Sequence, residues 1–183
     1  GVELAKDLGI SPPDYKKDVA PTVMDHALGV SKLFVELVRN VDGSAPTLSA
    51  RAFEWVNGDS LGLPFVERED GKDRQRLIFP DAVVEVPQAK RRVFVEYETG
   101  SHHVTKRDDD KEGTAESKLK RYGRAIHGLA DPAGRTTFYA KAYRDDLIPE
   151  LLFVVHSEKR RDNVRAMVKG ERGKGRNVDF AYV

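Results

Sequence analysis

The chain has 183 residues, 39% of them hydrophobic and 33% charged, with a net charge of +1 and no cysteine. That length suits one domain able to bury a substantial core. The lack of cysteine excludes a disulfide framework and any thiolate metal site. No apolar run approaches the ~20 residues needed to span a bilayer, and the first residues lack a charged-then-apolar leader pattern, so a cytoplasmic protein is expected.

Residues 1–22 read as a linker with a partial element, a short helix at Glu3–Leu8 stopped by Gly9 and Pro12-Pro13. From about Thr22 to Val41 the spacing predicts a helix with Val30, Leu33, Phe34, Leu37, Val38 and Val41 on one face. His26 falls near that face and is expected as a packed or capping histidine, whereas Glu36 lies roughly 130° away and is assigned to solvent. Ala52–Val56 reads as a short strand ending at Asn57-Gly58, with Trp55 in the core. Leu61 to Arg74 is charged and is read as an irregular loop.

The stretch from Arg76 to Glu98 organises the chain. Two apolar, β-branched runs, Leu77–Phe79 continuing into Ala82–Val86 and then Val93–Tyr97, flank Pro87-Gln88-Ala89-Lys90 and predict a β-hairpin. Glu96 and Glu98 interrupt the second run and, at a period of two, project from one face. With Asp81 on the neighbouring strand, three carboxylates would gather. Such crowding is costly without a shared cation or proton, and a hard divalent ion suits oxygen ligands.

The polar segment after Glu98 is expected to be a mobile loop, and His102-His103 to be exposed within it. A helix follows from about Thr114 to Leu129, its apolar stripe formed by Leu119, Tyr122, Ile126 and Leu129. Lys118 lies roughly 60° from the centre of that stripe, closer than Lys120 or Arg121, and is the basic residue best placed to reach the sheet. Thr136–Ala140 and Leu151–His156 read as strands, the second covered on both faces. Ser157 caps a helix from Glu158 to about Lys169, and Val178–Val183 is read as a last strand. Between His156 and Arg176 stand eight Lys or Arg against three acids. This basic group and the one around Lys118 fit a phosphate-binding face and a solvated helix surface equally well.

This order of elements, with Pro80-Asp81 and then a Glu-x-Glu on the next strand, resembles the PD-(D/E)xK nuclease superfamily. The resemblance implies an α/β, restriction-endonuclease-like fold, a mixed central sheet flanked by helices. It also implies that Asp81 and Glu96, fifteen residues apart, bind Mg²⁺ or Mn²⁺. The superfamily's Lys position holds Glu98 here. Some branches carry Glu there and others move the Lys onto the following helix, where Lys118 stands, so the role is open between the two.

A narrower resemblance rests on FPDAVVEV, VFVEYETGS and SKLKRY, with the upstream helix around His26. These look like the replication-relaxation family, proteins of plasmids and mobile elements implicated in plasmid replication and DNA relaxation. Its members usually place a winged helix-turn-helix before a nuclease-like domain. By that likeness residues 1–22 are a linker or the remnant of such a module, and residues 23–183 are the nuclease-like domain.

The implied activity is metal-dependent DNA cleavage or nicking. Asp81, Glu96 and Glu98 would be metal ligands, with Glu98 alternatively orienting the water, and Lys118 would supply positive charge to the transition state. Lys118, Arg121, Tyr122, Arg160, Arg161 and Arg165 would contact plasmid or mobile-element DNA. The partner is DNA and not a membrane, and a homodimer is one assembly the reading allows. The alternative is a catalytically inactive nuclease-like module for DNA binding or assembly, and a third reading is a protein-interaction domain.

Overall fold

The computed structural model describes residues 21–42, 53–99, 114–130, 133–145 and 147–173. The expectations for residues 1–20, for His102 and His103, and for a strand at Val178–Val183 lie outside them. Helix α1 (Pro21–Asp42) comes first, followed by strand β1 (Glu54–Asn57) and a 3₁₀ turn at Gly58–Ser60. Strands β2 (Leu63–Glu69), β3 (Lys72–Ile78), β4 (Ala82–Val86) and β5 (Arg91–Glu98) follow in succession. Then come α2 (Ala115–His127), α3 (Phe138–Tyr143), β6 (Glu150–Val155) and α4 (Glu158–Gly173). Among the described residues no helix is long and apolar enough to cross a membrane.

The result is a mixed α/β arrangement. The central sheet has four strands in the order β1-β4-β5-β6, antiparallel except for the parallel β5–β6 pair. The expected hairpin is present as β4 and β5, with Ala82 opposite Val95 and Val86 opposite Arg91. A 3₁₀ turn at Pro87–Ala89 joins them and closes on Lys90 in the left-handed region.

Alternation sorts side chains between two cores. Val83, Phe94, Leu151 and Phe153 face α2, α3, α4 and the β2–β3 hairpin. Ala82, Val84, Val95, Leu152 and Val154 face the other way, where Val30, Leu33 and Leu37 of α1 cover them. The strand read over Leu151–His156 is thus covered on both sides. Trp55 packs on this second core only partly buried, its ring 5.3 Å from Phe34.

Two segments depart from expectation. Leu61 to Arg74, read as a loop, holds most of a two-stranded hairpin, β2 with β3, which also takes Leu77 and Ile78 away from the central hairpin. Its charge hides the strands, because only Leu63, Phe65 and Ile78 are buried there. The solvated remainder pairs across strands, Arg74 and Arg76 both reaching Glu69. Asp70 and Gly71, both at positive φ, make the two-residue turn that an Asp-Gly step favours.

Thr136–Ala140 is not a strand. Thr137 caps α3 by accepting the Ala140 N–H at 3.1 Å. The short helix puts Tyr139 and Tyr143 one turn apart, stacked at 4.9 Å. Both lie against Arg92, a buried guanidinium held by Glu85, Asp145 and the Tyr139 hydroxyl. Burial pushes the Tyr139 and Tyr143 phenols up to about 12.

Candidate functional site

The polar cluster forms where β4 begins and β5 ends. Asp81 stands one residue before the Ala82–Val95 pair, so it flanks Glu96 across the sheet. Its backbone N–H donates to the Val95 carbonyl at 2.9 Å, and its Oδ2 accepts the Tyr97 N–H at 2.6 Å. Those two bonds fix the carboxylate at the mouth of the hairpin. Glu96 and Glu98, one pleat apart as the period of two requires, both point at α2 and α4.

Helix α2 starts at Thr114, whose Oγ1 accepts the Ser117 N–H at 3.1 Å. That start sets the helix phase and brings Lys118 and Tyr122, one turn apart, onto Glu96. Lys118 Nζ lies 2.5 Å from Glu96 Oε2 and 3.0 Å from Glu98 Oε1, and the Tyr122 hydroxyl donates to Glu96 Oε1 at 2.5 Å. From α4, Arg160 donates to Glu98 Oε2 at 3.0 Å.

The electrostatics stem from burial. Glu96 is 1% exposed, and its removal from water pushes its carboxyl up to about 7, with the neighbouring Asp81 adding to the rise and Lys118 opposing it. Burial would lower Lys118, but Glu96 and Glu98 outweigh that and hold its ammonium above the usual lysine range. Lys118 is therefore a fixed positive charge rather than a base. Tyr122 is raised by burial and by Glu96, so it remains a phenol donor. Among the described residues Glu98 Oε1 has no hydrogen-bond partner, although the Lys118 ammonium lies within ion-pair distance.

Among the expected site residues, Asp81, Glu96, Glu98 and Lys118 are thus drawn into one cluster. Glu98 is engaged by two cations, Lys118 and Arg160. Tyr122 is a correction: it is wholly buried beneath Glu96 and has no surface to offer nucleic acid. Arg160 is only 13% exposed at its side chain, being turned inward onto Glu98. Arg161 stays at the surface beside Glu158 and Asp162, Arg121 lies 3.9 Å from Glu67, and Arg165 is partly buried.

One member of the cluster escapes the sequence reading. His26 of α1 places Nε2 3.1 Å from Asp81 Oδ2 and sets its ring edge-on to Tyr97 at 5.9 Å. Its position near the apolar face is visible in the helical phase. That the second core ends at Asp81 is not. Glu36 is exposed, as expected. His26 and Asp81 line an open pocket of about 590 Å³, together with Ser31, Asn57, Asp59 and Phe79.

Among the described residues, no three His, Asp or Glu side chains converge closely enough to hold a metal ion by themselves. Among the described residues, the strand register sets Asp81 opposite Glu96, and Glu96 and Glu98 share the Lys118 ammonium. No family model, curated protein or solved structure matches the chain.

Proposed function

We propose that this chain is a nuclease-like domain of the PD-(D/E)xK kind, a metal-dependent DNA endonuclease or nicking module akin to the replication-relaxation family. Its substrate on this reading is plasmid or mobile-element DNA. The observation that carries the proposal is the 2.5 Å contact between Lys118 on α2 and Glu96 on β5, beside Asp81. Asp81 just before β4, Glu96 on β5 and Lys118 from the following helix are the residues that the resemblance implies, and their proximity supports the reading.

The donor chemistry fits Mg²⁺ or Mn²⁺ held by Asp81 and Glu96, because Mg²⁺ usually takes one or two protein carboxylates and completes its shell with water and phosphate. When bound, such an ion lowers the pKa of water and polarises a phosphoryl oxygen. The chain's own residues supply the rest. The Lys118 ammonium is positioned to stabilise negative charge as it develops on phosphate. Glu98, a third ligand in the sequence reading, is better suited to positioning Lys118, since both its oxygens face cations. Tyr122 holds Glu96 in place from below.

A second reading is supported by the same contacts. Lys118 and Arg160 are already paired with Glu96 and Glu98, and a closed buried network of this sort also suits an inactive module that binds or assembles on DNA.

Conversion of supercoiled plasmid to open circles with Mg²⁺ or Mn²⁺ tests between the two. Asp81→Asn is preferable to Ala, since the amide oxygen still accepts the Tyr97 N–H. Wild type should nick, while Asp81→Asn and Lys118→Gln should lose at least a hundredfold in rate, as loss of a positioned charge usually costs. No nicking by wild type, with DNA binding intact, would reject the enzyme in favour of the module.

A further inference from the structure

We infer that the pocket beside Asp81 receives an unpaired nucleobase, so that the substrate is single-stranded or locally melted DNA rather than continuous duplex. The inference rests on the nuclease reading for its DNA and extends it to the class of substrate. At about 590 Å³ the pocket falls within the ~300–1,000 Å³ of ordinary small-molecule sites. Its lining includes Asp59 and Asp81 and, among the described residues, no Lys or Arg. Apart from His26 and an ion held at Asp81, this lining offers a phosphate no positive charge, whereas a neutral base carries N–H donors that the two carboxylates can accept.

The walls suit a base in two further ways. Phe79 is 48% exposed, an aromatic side chain left at the surface where β3 gives way to β4. Its ring lies over Gly62, where a Cβ would stand 2.8 Å from Cε1 of Phe79, so the ring is seated against backbone. Stacking on such a ring holds a base whatever its identity. At the rim, Asn57 Oδ1 accepts the Trp55 indole N–H at 3.2 Å, which orients the amide, and Asp59 adds an acceptor. With its oxygen taken by Trp55, Asn57 keeps its Nδ2 donor, and this with the Asp59 acceptor suits a base edge freed from pairing.

The pocket is also locked to the candidate catalytic carboxylate. The Gly58 N–H donates to the Asp81 carbonyl at 3.3 Å, and a Cβ at Gly58 would fall 1.3 Å from the Pro80 oxygen. Only glycine allows the turn carrying Asp59 to dock this closely. A base seated in the pocket therefore has its place fixed relative to Asp81. Continuous duplex presents one only after the base is unstacked and unpaired, at a cost that single-stranded DNA does not carry.

The test uses the full chain and oligonucleotides carrying one 2-aminopurine, either single-stranded or fully paired, with Ca²⁺ and again with EDTA. Wild type should change the fluorescence of the single-stranded probe and bind it at least tenfold more tightly than the duplex. Phe79→Ala should weaken single-strand binding roughly tenfold or more, while Phe79→Tyr retains it. Phe79 is half exposed, so the variants should fold, and thermal melting checks this. Equal affinity for the two probes, no binding in either buffer, or an unchanged Phe79→Ala would overturn the inference. Plasmid nicking without a 2-aminopurine response would reject the pocket and leave the nuclease. A response without nicking of any substrate would reject the nuclease and leave the pocket.

Discussion

Glu96 carries the energetic tension of the molecule at the scale of one residue. A carboxylate this deeply buried is disfavoured as an ion, and Lys118 and Tyr122 offset that only in part. Its folded pKa of about 7 lies above the ordinary 4.5, so between those values the folded state holds a proton that the unfolded state has lost. The stabilisation is complete below the unfolded pKa and disappears as pH rises through about 7. The loss is on the order of 3 kcal/mol. Glu96→Gln does not titrate, so wild type should lose stability relative to it between about pH 5 and pH 8, as read by urea denaturation. Parallel profiles for the two proteins would mean that Glu96 stays ionised throughout.

Helix α1 belongs to the site at the scale of elements, because it brings His26 to Asp81. Its seat on the sheet depends on Gly29. A Cβ there would lie 2.1 Å from Cε1 of Tyr97, the residue whose backbone N–H holds Asp81. Alanine is the better helix former by about 1 kcal/mol, yet overpacking a seated ring costs about 1–3 kcal/mol. Gly29→Ala should therefore lower the melting temperature and separate His26 from Asp81. Gly123, midway along α2, is the control, since among the described residues a Cβ there meets nothing within 4 Å. Gly123→Ala should stabilise by up to about 1 kcal/mol. If both substitutions stabilise, the close approach of α1 to β5 is wrong.

The distribution of charge sets the whole-molecule expectation for DNA. Among the described residues, several basic residues that look like a phosphate-binding face are committed to acids of the same chain. Lys118 and Arg160 are held by Glu96 and Glu98, Arg124 by Glu67, and Arg161 by Glu158 and Asp162. Each such pair must open before its cation can displace a counterion from DNA. The plot of log K against log salt should then be shallower than about −3, and affinity should fall by less than about a hundredfold between 50 and 200 mM salt. A thousandfold fall would mean that the pairs open and that the arginines reach phosphate.

Local pattern is enough for the elements whose burial repeats. The 3.6-residue stripes of α1 and α2, the β4–β5 hairpin and the apolar β6 are legible because each turns a face to a core, although Leu129, expected in the α2 stripe, lies beyond the helix and is exposed. So are the shared face of Glu96 and Glu98 and the inward phase of Lys118, since each comes from a single element's period. The β2–β3 hairpin escapes although Asp70-Gly71 announces it, because its strands are mostly solvated and show no alternation. Thr137 resembles a strand residue by type, and it acts as a cap only because the chain turns into α3 immediately after it.

Only the tertiary structure decided which side chains meet. His26 is 55 residues from Asp81, Arg160 is 62 from Glu98, and the pocket joins α1 to the turn after β1. Residue type and period set the direction in which a side chain leaves its own element. Which element it then meets is set by the packing of two cores on one sheet, and no local spacing records that.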